Sequence, residues 1–146
     1  MNCSVARTLE VVGEWWTMLV VREAFAGVRR FDDFQARLGI ARNVLATRLQ
    51  SLVDHGILER RLYQERPERY EYRLTEKGMD LYPVLISLMQ WGDRWQAGPE
   101  GPPVTLMHEC GESPDAALVC THCGKALNPR EVRAEGGPFA KAPIRG

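Results

Sequence analysis

The cysteines are the residues of this sequence most capable of chemistry on their own, and two of them are separated by only two residues. Cys120 and Cys123 are followed at once by Gly124. This pattern is typical of a zinc knuckle, because it places two thiolates on one edge of a metal tetrahedron while the glycine lets backbone N–H groups approach the sulfurs. His108 and Cys110 are the remaining candidate ligands, although their spacing is less typical of a zinc site.

Two interpretations of this segment stay open. In the first, residues 104–135 form a zinc-ribbon-like extension that binds Zn through those four side chains, with His122 as a competing ligand. In the second, the segment is a small hairpin whose cysteines are reduced or joined by a disulfide. A catalytic site is not expected, because no general base or pocket accompanies the thiols.

Cys3 stands at the start of the first predicted helix. The helix dipole and the unsatisfied N–H groups at such a position favour a thiolate and lower the pKa of the thiol. The alternative is a small buried packing residue. No second cysteine lies nearby in sequence to resolve an oxidised Cys3.

The composition excludes several other classes of protein. The chain has 146 residues, of which 45% are hydrophobic and 26% charged, enough for one main core. Its longest apolar run, residues 15–21, is interrupted by Thr17 and is too short to span a bilayer. The N-terminus lacks the features of a secretory signal, so we expect a cytoplasmic protein without a membrane segment.

The charges are unevenly distributed although the formal net charge is zero. Between Arg37 and Arg73, eight arginines stand against five acidic residues. This local excess of positive charge favours contact with nucleic acid over the stretch.

Hydrophobic spacing predicts four helices before residue 57. Ser4 is expected to cap a first helix that Gly13 ends, and a largely buried second helix runs from Trp15 to Phe25. A short third helix begins at Phe31 and stops at Gly39, and the fourth helix spans residues 41–55.

A basic β-hairpin follows over residues 57–74, with its turn at Gln64–Arg69. Thr75 then caps a last helix that runs to about Gln96, in which Pro83 marks a kink or a restart. The expected fold class is mainly α with a small β-hairpin (α+β), a winged helix-turn-helix with a small C-terminal β extension.

The domain organisation follows from the distribution of proline and glycine. Residues 1–97 are predicted to form the winged helix-turn-helix and dimerisation domain, 98–103 a linker, 104–135 the extension and 136–146 a disordered tail.

The fourth helix has a polar face opposite its leucines, and either water or a partner covers that face. A short helix, a tight turn containing glycine and such a second helix together form the arrangement that places a helix in the DNA major groove. The arginines of the hairpin would then contact phosphates or the minor groove. The predicted DNA-binding residues are Arg42, Asn43, Thr47, Arg48 and Gln50 on the helix and Arg61, Arg66 and Arg69 on the hairpin.

Several segments follow one another in a characteristic order from Cys3 to about Trp95. They are Cys3-Ser-Val-Ala-Arg-Thr-Leu9, Gly13-Glu-Trp-Trp-Thr17, Val21-Arg-Glu-Ala-Phe25, Arg30-Phe31, Leu45-Ala-Thr-Arg-Leu49, Gly56-Ile-Leu58, Tyr70-Glu-Tyr-Arg-Leu-Thr-Glu-Lys-Gly78 and Trp91-Gly92. In these segments, over two thirds of its length, the chain resembles the HxlR-type winged helix-turn-helix transcriptional regulators.

The resemblance implies a bacterial cytoplasmic homodimer, paired through its first and last helices. Such a dimer binds palindromic operators in double-stranded DNA and represses or activates neighbouring genes, and we expect repression here. The resemblance also implies a redox-sensing role for Cys3, whose alternative is packing at the dimer seam. No cofactor is required for DNA binding, and no enzymatic activity is expected.

One residue departs from the family pattern. Ala41 stands where these regulators usually have serine or threonine as the cap of the recognition helix, and alanine cannot accept the capping hydrogen bond, at a cost of about 1 kcal/mol. Two further alternatives concern function. The winged fold could serve as a protein-interaction module that docks a partner through the C-terminal extension, and the tryptophans at 15, 16, 91 and 95 could line an effector pocket instead of forming core or interface.

Overall fold

The computed structural model describes residues 3–137, which form a mainly α protein with one β-hairpin. In chain order the elements are α1 (Ser4–Val12), α2 (Trp15–Phe25), α3 (Phe31–Leu38), α4 (Arg42–Asp54), β1 (Leu58–Glu65), β2 (Glu68–Leu74), α5 (Glu76–Met79), α6 (Tyr82–Trp95) and a 3-10 turn (Pro129–Glu131). The predicted α+β class is confirmed. Residues 138–146, most of the tail predicted to be disordered, lie outside the described residues.

The described chain divides into two compact units. The first comprises Cys3–Ile86 and the second begins at Ser87, so the division falls inside α6, whereas the sequence placed the domain boundary at the linker 98–103. The reason lies in the second unit, where the side-chain amide of Gln90 accepts a hydrogen bond from the N–H of Ala116 at 2.6 Å and donates one to its carbonyl at 3.1 Å. Within residues 3–137, no helix is long and apolar enough to cross a membrane.

The core of the first unit lies where α2, α3, α4 and the start of the hairpin meet. Its most deeply buried side chains are Val20, Val21, Phe34, Leu45, Leu49, Leu52, Ile57 and Leu58. The three leucines of α4 recur every three or four residues and therefore occupy one face of the helix. Each buried leucine contributes roughly 1.5–3 kcal/mol, so the core fixes the rotation of α4 about its own axis.

The turn between α3 and α4 has three residues. Gly39 adopts the left-handed conformation with φ of 63° and donates its N–H to the carbonyl of Gln35 at 2.9 Å, which ends α3. Ile40 is 3% exposed and anchors the turn in the core. Ala41 then precedes α4 without a side-chain capping bond, as its residue type requires.

Two helix boundaries differ from the predicted ones. Cys3, with extended backbone, is the N-cap of α1, and Ser4 is already the first helical residue. The helix predicted from Thr75 to about Gln96 is two helices, because α6 restarts at Tyr82 with Pro83 in its first turn, where a missing N–H costs nothing. Thr75 caps α5 as predicted, by accepting the N–H of Gly78 at 3.1 Å.

The hairpin is antiparallel, with Leu58 opposite Leu74 and Glu65 opposite Glu68. Its turn is shorter than predicted and contains only Arg66 and Pro67, because the Gln64 side-chain amide donates to both of their carbonyls, at 3.3 and 3.2 Å, and closes the tip.

The base of the hairpin is fastened to the helices by main-chain contacts that the sequence did not reveal. Tyr72 donates its N–H to the carbonyl of Arg29 at 2.7 Å, and Arg30 forms an isolated bridge with Glu71. Just before β1, the hairpin is approached closely by α5. A Cβ added to Gly78 would lie 2.2 Å from the carbonyl oxygen of Ile57, so only glycine permits this approach.

A buried carboxylate joins α2 to α3. Glu23 is only 4% exposed, and it accepts hydrogen bonds from Arg22 at 2.8 Å and from Arg37. Burial alone would raise the pKa of Glu23, but the hydrogen bonds from Arg37 and Arg22 outweigh burial and leave the pKa below its ordinary value.

The second unit contains little regular structure after α6. The extension predicted to be a small β unit has one isolated bridge, between Val119 and Ala126, and in its described residues no strand longer than that bridge. All but a few of its side chains are exposed, so the extension has no core of its own that would hold strands together.

We expect Glu23→Gln to lower the free energy of unfolding by about 1–3 kcal/mol at neutral pH, because a neutral amide makes weaker hydrogen bonds to the two arginines. The pKa of Glu23 is lowered by folding, so its contribution is complete above the usual glutamate pKa of about 4.3 and disappears as the pH falls through the lower folded value.

Denaturant unfolding of wild type and variant, from neutral pH down to about pH 3, measures this difference. The two stabilities should converge in acid, and a gap that stays constant over the range contradicts the assignment. Glu10→Gln on the exposed surface of α1 is the matched control and should leave the free energy of unfolding unchanged.

Candidate nucleic-acid interface

The outward face of α4 is polar along its length. Asn43, Thr47 and Gln50 are exposed, and they lie opposite the buried leucines, as the helical spacing predicted. Ala46 is exposed between them and supplies a small apolar patch that the sequence analysis did not include. Two polar side chains have local partners: Thr47 Oγ1 donates to the Asn43 carbonyl at 2.9 Å, and Gln50 Nε2 donates to Asp54 Oδ1 at 2.8 Å.

Arg42, the first residue of α4, has its guanidinium against α3. Its Nη1 donates to Asp32 Oδ1 at 3.2 Å and to Gln35 Oε1 at 3.0 Å. The guanidinium carbon lies 4.7 Å from the centroid of the Phe31 ring. The side chain of Arg42 is nevertheless 66% exposed, so it stays accessible to a ligand that can replace these partners.

Arg48 occupies a different environment from the other predicted contacts. Only 26% of its side chain is exposed, and Nη1 lies 3.6 Å from Glu14 Oε2. Glu14 is the N-cap of α2 and also accepts the N–H of Trp16 at 2.9 Å. Arg48 therefore links α4 to the start of α2, and its Nε is buried without a hydrogen-bond partner in the described residues.

The hairpin arginines divide into two groups. Arg61 forms an ion pair with Glu59 on its own strand. Arg66 and Arg69 at the tip are exposed and, among the described residues, form no ion pair. These two tip residues are the predicted hairpin contacts most available to phosphate.

Two arginines that the sequence analysis did not select lie over tyrosine rings of the hairpin. The guanidinium carbon of Arg30 is 4.3 Å from the centroid of Tyr63, and that of Arg60 is 4.1 Å from the centroid of Tyr70. Each pair combines cation–π attraction with an exposed positive charge. The alternation of side chains along the strands could have indicated the position of Arg60. The position of Arg30 depends on the bridge to Glu71, which the sequence does not reveal.

A cleft of about 490 Å³ separates the first turn of α3 from the hairpin. Positive, negative and aromatic side chains line it, including Arg42 and Arg69 from opposite sides. The cleft is therefore lined by one predicted DNA-contact residue of α4 and one of the hairpin, Arg42 and Arg69.

The candidate metal ligands are not gathered into a site. Within residues 3–137, no three His, Cys, Asp or Glu side chains lie close enough together to hold a metal ion. The described arrangement of His108, Cys110, Cys120 and Cys123 therefore does not fit a zinc ion, and zinc binding stays a prediction. Cys120 has a lowered pKa, because the N–H groups of Cys123 and His122 and the thiol of Cys123 favour its thiolate.

Cys3 is exposed and lies at the N-terminus of α1. Hydrogen bonds from the backbone N–H groups of Ala6 and Val5 hold its pKa below the ordinary value, in the direction that the sequence predicted. Cys3 is not a buried packing residue within this chain.

Large apolar side chains are exposed in both units. In the first, Val5 and Leu9 of α1 are 67% and 57% exposed, and in the second, Trp91 and Trp95 of α6 are each 61% exposed. Trp16 packs against the core of the first unit. Trp91 and Trp95 therefore present apolar surface to their surroundings.

A short helix, a three-residue turn, a second helix with a polar outer face and a basic hairpin together define a winged helix-turn-helix protein, a class that binds DNA. Residues 11–99 match the family of HxlR-like helix-turn-helix proteins. The chain belongs to this family. It is therefore a transcriptional regulator and not an enzyme.

Relatives extend the comparison beyond the family segment. An uncharacterised HTH-type transcriptional regulator of Mycobacterium tuberculosis is 52% identical over 142 residues, which cover 97% of this chain and 90% of the relative. The crystal structure of PA1607, a candidate transcription factor, is 39% identical with a TM-score of 0.82, covering 92% of this chain and 94% of PA1607.

The redox regulator HypR in its reduced form is similar over a shorter part. It is 30% identical with a TM-score of 0.61, and the match covers 64% of this chain and 94% of HypR. The chain thus shares its winged fold with HypR and nearly its whole length with the other two proteins.

We expect Arg48→Ala to lower the free energy of unfolding by about 0.5–1.5 kcal/mol, because the change removes the link to Glu14 and the packing of the side-chain stem. Thr47→Ala, on the outer face of the same helix, should change stability by less than about 0.5 kcal/mol. Denaturant unfolding of both variants measures this difference. Equal stabilities would show that Arg48 has no positioning role.

Proposed function

We propose that the protein is a homodimeric, sequence-specific DNA-binding repressor that reads the major groove with α4 and contacts the backbone or the minor groove with the hairpin. The observation that supports this most directly is the exposed polar face of α4, which the buried leucines orient outward. Beside it lies the hairpin tip, whose two arginines form no ion pair within residues 3–137. The family membership supplies the class of ligand, double-stranded DNA.

The side chains on α4 suit the edges of base pairs. Asn43 and Gln50 each carry a donor and an acceptor, the combination that pairs with adenine in the major groove. Ala46 and the methyl group of Thr47 suit the thymine methyl group. Arg42 can donate to guanine or to phosphate, once it leaves its contacts with α3.

The hairpin contributes charge without base specificity. Arg66 and Arg69 would each neutralise a phosphate and release counterions, which makes the affinity depend steeply on salt. Arg30 and Arg60 extend this positive surface toward the base of the hairpin.

Exposed apolar residues support pairing of two copies. Val5 and Leu9 lie one helical turn apart on α1, so they form a stripe on a single face, and Leu88, Trp91 and Trp95 do the same on α6. Large apolar patches rimmed by polar residues mark association surfaces. A symmetric dimer through these helices would present two recognition helices to the two halves of a palindromic operator.

We further propose a cytoplasmic location and regulation through the thiol of Cys3. The lowered pKa and the exposure of Cys3 support reaction with oxidants or electrophiles. The similarity to HypR, a redox regulator, points the same way.

The DNA-binding proposal is tested by selecting duplexes from a random pool and measuring affinities by gel shift or anisotropy across salt concentrations. Wild type should enrich one palindromic sequence. Asn43→Ala should cost about 1–3 kcal/mol on that sequence, while Arg66→Ala and Arg69→Ala should each weaken all duplexes and reduce the salt slope by about one.

Gln96→Ala removes an exposed amide outside α4 and the hairpin and is the control. No sequence preference by reduced or oxidised wild-type protein would refute the proposal. That result would favour the alternative of a protein-interaction module, which the exposed Met107 and Leu118 of the extension would serve.

The dimer is tested by replacing Leu9 on the apolar stripe of α1. Leu9→Asp should shift sedimentation or light scattering toward the monomer mass at concentrations where wild type is dimeric, because a charge cannot be buried in the interface without a partner. Glu10→Lys, an exposed change in the same helix, should leave the dimer intact. A Leu9→Asp protein that stays dimeric would exclude α1 from the interface.

A further inference from the structure

Arg42 is the first residue of α4, but its guanidinium is bound by side chains of the preceding helix, α3. Asp32 and Gln35 accept its hydrogen bonds at 3.2 and 3.0 Å, and the ring of Phe31 lies beneath the guanidinium. All three partners belong to α3: Phe31 and Asp32 lie in its first turn and Gln35 in the next. In the free protein Nη1 of Arg42 therefore already has two acceptors on α3, and the ring of Phe31 lies against the guanidinium.

These partners imitate what DNA would offer. The carboxylate of Asp32 corresponds to a phosphate, and the side-chain carbonyl of Gln35 to the acceptor on a base edge. The ring of Phe31 corresponds to the face of a base. DNA that binds Arg42 through Nη1 must displace Asp32, so part of the electrostatic gain from the new contact is cancelled. The carboxylate itself, 71% exposed, would also lie near the approaching phosphates and repel them.

We propose that Asp32 is a specificity-determining residue of the DNA-binding surface, because it competes with DNA for Arg42. The inference rests on the proposed function. On non-operator DNA, a phosphate is the only group that can replace Asp32 as the partner of Arg42. The new contact is nearly equal in free energy to the one that is lost. An operator bound in register offers Arg42 a base edge together with phosphates. These contacts offset the free energy lost when Arg42 leaves Asp32. Asp32 thereby weakens binding to most sequences more than binding to the operator.

The first turn of α3 provides a matched comparison. Asp33 is exposed, carries the same charge and adjoins Asp32 in sequence, but among the described residues it forms no ion pair. Asp32→Asn and Asp33→Asn therefore change the net charge equally, and only the first removes the charged partner of Arg42.

The experiment measures affinity for the selected operator and for a scrambled duplex of equal length, over a series of salt concentrations. Relative to Asp33→Asn, Asp32→Asn should bind the scrambled duplex roughly two- to fivefold more tightly. Its plot of log affinity against log salt should be steeper by about 0.9, the slope expected for one additional phosphate contact. Operator affinity should rise less, so the ratio of operator to scrambled affinity should fall.

Adding Arg42→Gln to each variant completes a double-mutant cycle. The excess affinity of Asp32→Asn over Asp33→Asn should vanish in the Arg42→Gln background, since no arginine remains to be released.

Equal behaviour of the two aspartate variants in a protein that binds its operator would refute the inference and leave the proposed function intact. Weaker operator binding by Asp32→Asn would also refute it, because Asp32 would then orient Arg42 for DNA. A wild-type protein that binds neither duplex would overturn both proposals.

Discussion

Burial of one face of α4 is the constraint on which the rest of the interface depends. Leu45, Leu49 and Leu52 pack against α2 and α3 with almost no exposed area, and an α-helix has a fixed angle between successive residues. Once those three leucines are buried, Asn43 and Gln50 must point outward. The side chains offered to a ligand are thus selected by core packing, in a helix whose N-cap, Ala41, makes no side-chain capping bond.

Arginine recurs throughout this molecule, but its charge is used in three ways. Arg37 satisfies the buried carboxylate of Glu23, and Arg48 lies between α4 and the N-cap of α2. Arg66 and Arg69 at the hairpin tip have no acidic partner in the described chain, so their charge remains available outside the fold. The number of basic residues in a stretch of sequence therefore overstates the positive charge available to DNA, because ion pairs within the protein neutralise part of that charge.

The sequence predicted the order of elements well, because amphipathic spacing and glycine stops are local signals. The polar face of α4 follows from the same 3.6-residue period that locates its leucines. The role of Arg48 could not be predicted, because its partner Glu14 lies more than thirty residues earlier in the chain. The same limit applies to the pairing of Arg29 with Tyr72, and to the cysteine cluster, whose spacing indicates a metal site that the described arrangement does not assemble.

Main-chain pairing at the base of the hairpin has a consequence for how such regulators diversify. The bonds that join Tyr72 to Arg29 and Arg30 to Glu71 involve backbone atoms of residues just before α3. The spacing between the hairpin and the helix pair is therefore set in part by main-chain bonds, to which the cation–π contact of Arg30 with Tyr63 and its ion pair with Glu71 are added. Residues on the outer face of α4 and at the hairpin tip can be exchanged during evolution, so that the protein acquires a new target sequence. The distance between α4 and the hairpin, which sets how they span the duplex, is preserved.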